Sequence, residues 1–87
     1  MLTFSFRGEI ADIGDMATGD GTRRSRIVVL EVDGGLQRVE FPEVLFQQVR
    51  TMLCPGRAVL IEGEVSQLGN EALRHIADAV HFLDQGH

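Results

Sequence analysis

Thr22-Arg23-Arg24-Ser25-Arg26 is the one stretch of this 87-residue chain where cations gather. Three guanidiniums within five residues, in a run rich in glycine and hydroxyl side chains, suit the clamping of a phosphate backbone, and arginine planes also stack on bases. The plainer reading is a solvated loop balanced by Asp15, Asp20 and Glu31. Other chemistry finds less support. Glu62 and Glu64 share a strand face, and paired carboxylates can do acid–base work, but no nucleophile accompanies them. His75 and His81 stand six residues apart, which in an extended strand is about 20 Å at ~3.3 Å per residue, too far to share a metal. A single cysteine and the lack of a His-x-x-x-His motif leave no zinc-ligand set. Gly19-Asp20-Gly21 lacks the lysine and the following helix of a phosphate loop. No serine or cysteine triad can be assembled. These residues predict a binding module rather than an enzyme, with no cofactor and no metal.

Composition narrows the class further. Eighty-seven residues predict a single domain, 1–87, with a core over about 3–83 and a short polar tail at 84–87. A hydrophobic fraction of 44% describes an ordinary globule, and every apolar run is far shorter than the roughly 20 residues that span a bilayer. Met1–Ile10 has neither the basic start nor the long apolar core of a secretory signal. Cys54, before Pro55, reads as a small buried residue at a helix end, and a reducing cytoplasm is the expected compartment. The net charge is −5, and all eight cations are arginine. Phosphate neutralisation supplies most of the affinity of non-specific nucleic-acid binders, so a nucleic-acid site here must be a local arginine cluster on an acidic body.

The elements that would position such a cluster follow from periodicity. Residues 3–13 alternate, with Phe4, Phe6, Gly8 and Ile10 on one face, and Gly8 is set to let the strand bend. Residues 14–25 read as a long loop. Arg26–Val32 forms a second strand with Val28, Leu30 and Val32 inward; Asp33-Gly34-Gly35 supplies a tight hairpin. Leu36–Phe41 follows with Val39 and Phe41 inward. Pro42 fits a first helical turn, and Leu45, Val49, Met52 and Leu53 then make one apolar helix face, ending at Cys54-Pro55-Gly56. Val59–Val65 is a fourth strand with Gly63 as a second bend, residues 66–72 are a loop around Gly69-Asn70, and 72–83 is a fifth strand bulged near Ala77-Asp78-Ala79. Five strands with the helix between the third and fourth predict an all-β, five-stranded Greek-key barrel of the OB-fold type.

Several short motifs, taken together, carry a family likeness. Val28-Val29-Leu30-Glu31, Val39-Glu40-Phe41-Pro42-Glu43-Val44, Pro55-Gly56, Val59-Leu60-Ile61-Glu62-Gly63-Glu64-Val65 and His75-Ile76-Ala77-Asp78 resemble the OB domain carried by bacterial DNA polymerase III alpha subunits. Related OB domains bind the anticodon in several tRNA synthetases. The likeness runs from about Phe6 to Leu83 and specifies the fold better than the ligand. It implies single-stranded nucleic acid bound across strands two and three and the two loops at 14–25 and 66–72. That face comprises Ile27, Val29 and Glu31 with Arg38 and Glu40. Arg23, Arg24 and Arg26 stand where the first loop enters strand two, and Gln67, Asn70 and Arg74 stand on the second loop or its edge.

The expectation is a stand-alone module binding a single strand, DNA in preference to RNA, in replication, repair or mobile-element biology. Arg23, Arg24, Arg26 and Arg38 would hold phosphates, Ile27 and Val29 would give an exposed apolar floor, and Asn70 and Arg74 would close over the strand. Four neutralised phosphates imply a log–log salt slope of about −2.8 for a single strand. There is no Trp or Tyr to stack on bases, the five phenylalanines read mostly as core, and Glu31 and Glu40 are set to repel phosphates. The alternative is a protein-interaction module: an accessory subunit of a replication or repair complex, or a homodimer, that does not bind nucleic acid by itself. No membrane association is expected.

Overall fold

The computed structural model describes residues 2–17, 24–67, 69–70 and 72–83. Five strands and one helix follow in the order β1 (Leu2–Ala17), β2 (Arg24–Val32), β3 (Gly35–Phe41), α1 (Glu43–Val49), β4 (Ala58–Ser66) and β5 (Arg74–Phe82). The sheet closes on itself as β1-β2-β3-β5-β4, with β3 and β5 running parallel and every other pair antiparallel. This is the OB-fold barrel expected from the element order.

β1 is longer than its alternation suggested, because residues 14–17 pair with 27–24 of β2 instead of joining the loop. Its first half pairs with β4 and its second with β2, Glu9 having a partner in both. Serving two neighbours requires sharp coiling, and Gly8 permits it: a Cβ there would overlap the Glu31 carbonyl. A register shift at residues 10–12 adds a further kink. The β2–β3 hairpin turns through Asp33 (φ 51°) and Gly34 (φ 82°), the paired positive angles of a tight two-residue loop. The bulge expected near Ala77–Ala79 is present, Glu62 pairing with Ala79 and Gly63 with Ala77.

Ile10, Val28, Leu30, Val39, Phe41, Val59, Ile61 and Ala77 fill the barrel, with Val49 and Leu53 entering from the helical segment. Complete burial of each large aliphatic or aromatic side chain contributes about 1.5–3 kcal/mol. A seven-residue helix is unstable alone, so this packing holds α1 in place. The helix is shorter than its apolar spacing suggested. Pro42 is its N-cap, with ψ at 145°, and not a first-turn residue. Beyond Val49 the chain tightens into i→i+3 bonds, Met52 N–H donating to Val49 O and Leu53 N–H to Arg50 O. Leu53 takes the buried position there, leaving Cys54 exposed in the turn, contrary to the expectation of a buried thiol. Phe46 lies under Arg26 at the start of β2, and the Arg57 guanidinium lies over Phe82 at the end of β5. The helical segment therefore closes the barrel end formed by the start of β2 and the end of β5.

Candidate nucleic-acid interface

Register decides which side chains share the outer face of β2 and β3. Ile27 pairs with Glu40 and Val29 with Arg38, while Val28 opposite Val39 points into the core. The parallel contact Glu40↔Ile76 then sets the start of β5 beside the end of β3. The segment leading into β5 rises there as a lip. Ile27, Arg38 and Glu40 on the sheet face Ala72, Leu73, Arg74 and His75 across a groove of about 270 Å³. That volume is below the roughly 300–1,000 Å³ of pockets that engulf a whole small molecule, and suits part of a longer chain passing through.

The predicted residues are divided by this geometry. Arg38 lies in the groove, exposed on β3, with no ion-pair or hydrogen-bond partner among the described residues. Val29, half-buried, is its cross-strand neighbour. Ile27 also lines the groove but is 5% exposed, so it is the covered base of the cleft and not an open floor. Arg74 donates two charge-assisted bonds to Glu40, from Nε to Oε2 and from Nη2 to Oε1, both 2.7 Å. Glu40 is buried beneath it at 8% exposure. This pair changes the meaning of both residues. The carboxylate expected to repel phosphates is neutralised in place, and the guanidinium expected to hold one is already committed to a bidentate partner.

Arg26 belongs elsewhere. It alternates with Val28 and Leu30, not with Ile27 and Val29, and at the barrel end that direction leads to the helix. Its Nε is 3.6 Å from Glu43 Oε2 and its guanidinium stands 4.8 Å above the Phe46 ring. The structure thus does not bring Arg26 together with Arg38. Asn70 is exposed in the turn after Gly69, whose φ is 59°. Arg23 and the side chain of Arg24 lie outside the described residues, as do 18–22 of the first loop.

Two contributors were missed by sequence reasoning. Leu73, 54% exposed, is a large apolar side chain on the groove lip. The signal for it was slight, since the sequence reading placed Leu73 inside the fifth strand, whereas β5 begins at Arg74. His75 also lines the groove and packs against Phe4 and Phe6. Of the five phenylalanines, Phe41 alone is fully buried; Phe4, Phe6, Phe46 and Phe82 are half-buried against the core. Away from the groove, exposed His81 Nε2 and Glu62 Oε1 are 2.9 Å apart on the outer side of β4 and β5.

No family model and no curated protein matches the chain. Solved structures do. The mitochondrial single-stranded DNA binding protein Rim1 of S. cerevisiae superposes with a TM-score of 0.77 at 12% identity, covering 97% of both chains. The second single-stranded DNA binding protein, SSBb, of Mycobacterium smegmatis gives 0.71 at 18% identity, covering 94% of this chain and 86% of that one. A chain of the S. pombe Stn1-Ten1 complex gives 0.68 at 20% identity; the match covers 98% of this chain but 60% of the other. Identities this low show a common fold.

Proposed function

We propose that this chain is an OB-fold binding module for single-stranded nucleic acid, DNA in preference to RNA, and not an enzyme. The observation that carries the reading is the groove itself, a cleft on the outer face of β2 and β3 bounded by the lip at 72–75. Arg38 offers a guanidinium to a phosphate, Leu73 and Val29 offer apolar contact to bases, and Arg74 is held rigidly at the lip by Glu40. Arg24, the first residue of β2, and Arg23, before it in sequence, would add phosphate contacts. The names of Rim1 and SSBb describe single-stranded DNA binding on the same fold. The sequence likeness to the OB domain of polymerase III alpha subunits and to anticodon-binding OB domains supports the same ligand class, and with it a place in replication or repair.

Titration of isotope-labelled protein with a short oligo-dT at low salt tests this. The amides of Val29, Arg38 and Leu73–His75 should shift while those of Glu43–Val49 stay fixed. A spectrum unchanged by millimolar oligo-dT and oligo-rU refutes the reading.

A protein partner is the second reading, favoured by Leu36 at 65% and Leu73 at 54% exposure. Leu36 shares the outer side of β3 with Arg38, and apolar side chains at this exposure suit a protein contact. One OB-fold neighbour is an OBody bound to hen egg-white lysozyme, 22% identical with a TM-score of 0.67. Self-association through this face would appear as a mass that rises with concentration in light scattering.

A further inference from the structure

We propose that Phe4, Phe6 and His75 form a stacking station for one unpaired base of the bound strand, just beyond the β2–β3 groove. This rests on the single-strand reading above and extends it by a second contact site.

The two ends of the barrel are finished differently. The helical segment closes one. At the start of β1 and of β5, the described residues provide no helix, and three rings meet instead. The Phe4 and Phe6 centroids are 4.8 Å apart at 40°, Phe4 meets His75 edge-on at 5.1 Å and 86°, and Phe6 meets His75 at 4.9 Å and 54°. The register explains why they touch. Phe4 pairs with Gly63, which pairs with Ala77. One neighbour in that row has no side chain and the next has a methyl, so the Phe4 ring extends across both positions to reach His75, which pairs with Val65. A side chain at Gly63 is forbidden in any case, since its Cβ would overlap the Ile76 carbonyl.

All three rings are half-buried, in contrast to Phe41 at 2%. Phe46 and Phe82 are half-buried too, but each is covered by a guanidinium, that of Arg26 and of Arg57, and among the described residues no such cation lies over Phe4 or Phe6. Ring surface left at the rim is what a base requires, because stacking needs one accessible aromatic face and tolerates any base. Position supplies the second argument. His75 belongs both to the ring cluster and to the groove, where it stands with Arg38, Leu73 and Arg74. A strand leaving the groove past Arg74 reaches His75 next, then the phenylalanines, with Glu62 and Asp78 bordering the far side of Phe4. The occupant is therefore the next nucleotide of the same strand. A chain without Trp or Tyr thereby gains the stacking platform that its composition appeared to deny it.

The test is a length series of oligo-dT from about 4 to 16 nucleotides, the range of site sizes for one OB barrel, against the full chain and its Phe4→Leu and Phe6→Leu variants. Neither residue lines the groove, and leucine keeps the apolar plug. The wild type should show a step in affinity once the oligonucleotide is long enough to reach the rings. Each variant should lose about 5- to 140-fold at that step while binding the shortest oligonucleotides as before. In the wild type, Phe4 and Phe6 ring protons should move upfield with long oligonucleotides only, a readout that stands even if a variant proves too unstable to use. An undiminished step in the variants with unmoved ring signals overturns the station and leaves the groove reading intact. No binding at any length by the wild type removes the groove reading, and the station with it.

Discussion

Arg38 and Arg74 face the same groove, yet the structure assigns them opposite consequences on removal. Arg38 has no partner among the described residues, so on binding a phosphate it would displace one condensed counterion. Arg74 is compensated by Glu40 before any ligand arrives. Arg26 is turned toward Glu43 and Phe46 and drops out of the count. On the proposed reading the phosphate contacts would come from Arg23, Arg24 and Arg38, and the log–log salt slope should be about −2.1 at roughly −0.7 per contact, instead of the −2.8 implied by four. Over a fourfold rise in salt, affinity should fall about 18-fold for the wild type. For Arg38→Ala the slope should be about −1.4 and the fall about 7-fold. Arg74→Ala should keep the slope near −2.1 but lose stability.

The size of that stability loss follows from burial. Removing one member of a fully buried ion pair costs about 3–5 kcal/mol. Here the Glu40 side chain is 10% exposed but that of Arg74 is 41% exposed, so water screens the pair and about 2 kcal/mol is a better figure. At 4–8 °C per kcal/mol for a domain of this size, Tm should drop by about 8–16 °C. Fluorescence anisotropy with labelled oligo-dT across a salt series gives the slopes, and circular dichroism gives Tm. An Arg74→Ala slope as shallow as that of Arg38→Ala would refute the claim that Glu40 neutralises Arg74. An unchanged slope in Arg38→Ala would remove Arg38 from the strand's path.

Three further substitutions have defined outcomes. Gly63→Ala drives a methyl into backbone that cannot move aside, the Ile76 carbonyl and Ala77 Cα, and should cost about 3 kcal/mol or more by urea unfolding. Gly14→Ala, with nothing within 4 Å of the new methyl, should stay within about 0.5 kcal/mol of wild type. Leu73→Ser removes an exposed apolar contact at the lip and should weaken oligo-dT binding about 3- to 10-fold with Tm and salt slope unchanged, since no charge or core contact is lost; an unaltered affinity would show that the strand does not reach the lip.

The barrel was legible because each strand carries its own period-two signal and each turn its own punctuation. Val28 and Leu30 against Val39 and Phe41 identify the inner face, and Asp33-Gly34 can hardly be anything but a hairpin. The boundaries were less legible where composition and pairing disagree: Gly14 and Asp15 look like loop residues, yet β2 supplies partners for them. Arg26 was readable in principle, since it lies an even number of residues from Val28, but proximity in sequence to Arg23 and Arg24 obscured its direction. The Glu40–Arg74 pair was not readable at all. Its members are 34 residues apart and meet because β3 and β5 run parallel at one contact. The same closure covers Ile27. Pair contacts that depend on how the sheet closes leave no local trace.

The acidity of the chain and its proposed ligand are reconciled by where the charges lie. Glu62, Glu64 and Asp78 are exposed on β4 and β5, with Glu62 beside His81; on the β2–β3 face Glu31 is exposed but does not line the groove, and the groove's carboxylate, Glu40, is covered and paired. A body of net charge −5 repels a polyanion at long range, so whatever holds a strand must act at contact distance. Leu73, Val29 and the rings at the barrel rim would supply contacts of that kind, which salt does not screen. A shallow salt slope combined with dependence on apolar and aromatic side chains is the signature this charge distribution requires. A strongly basic binder of the same fold would show the reverse, with a steep slope and tolerance of ring removal.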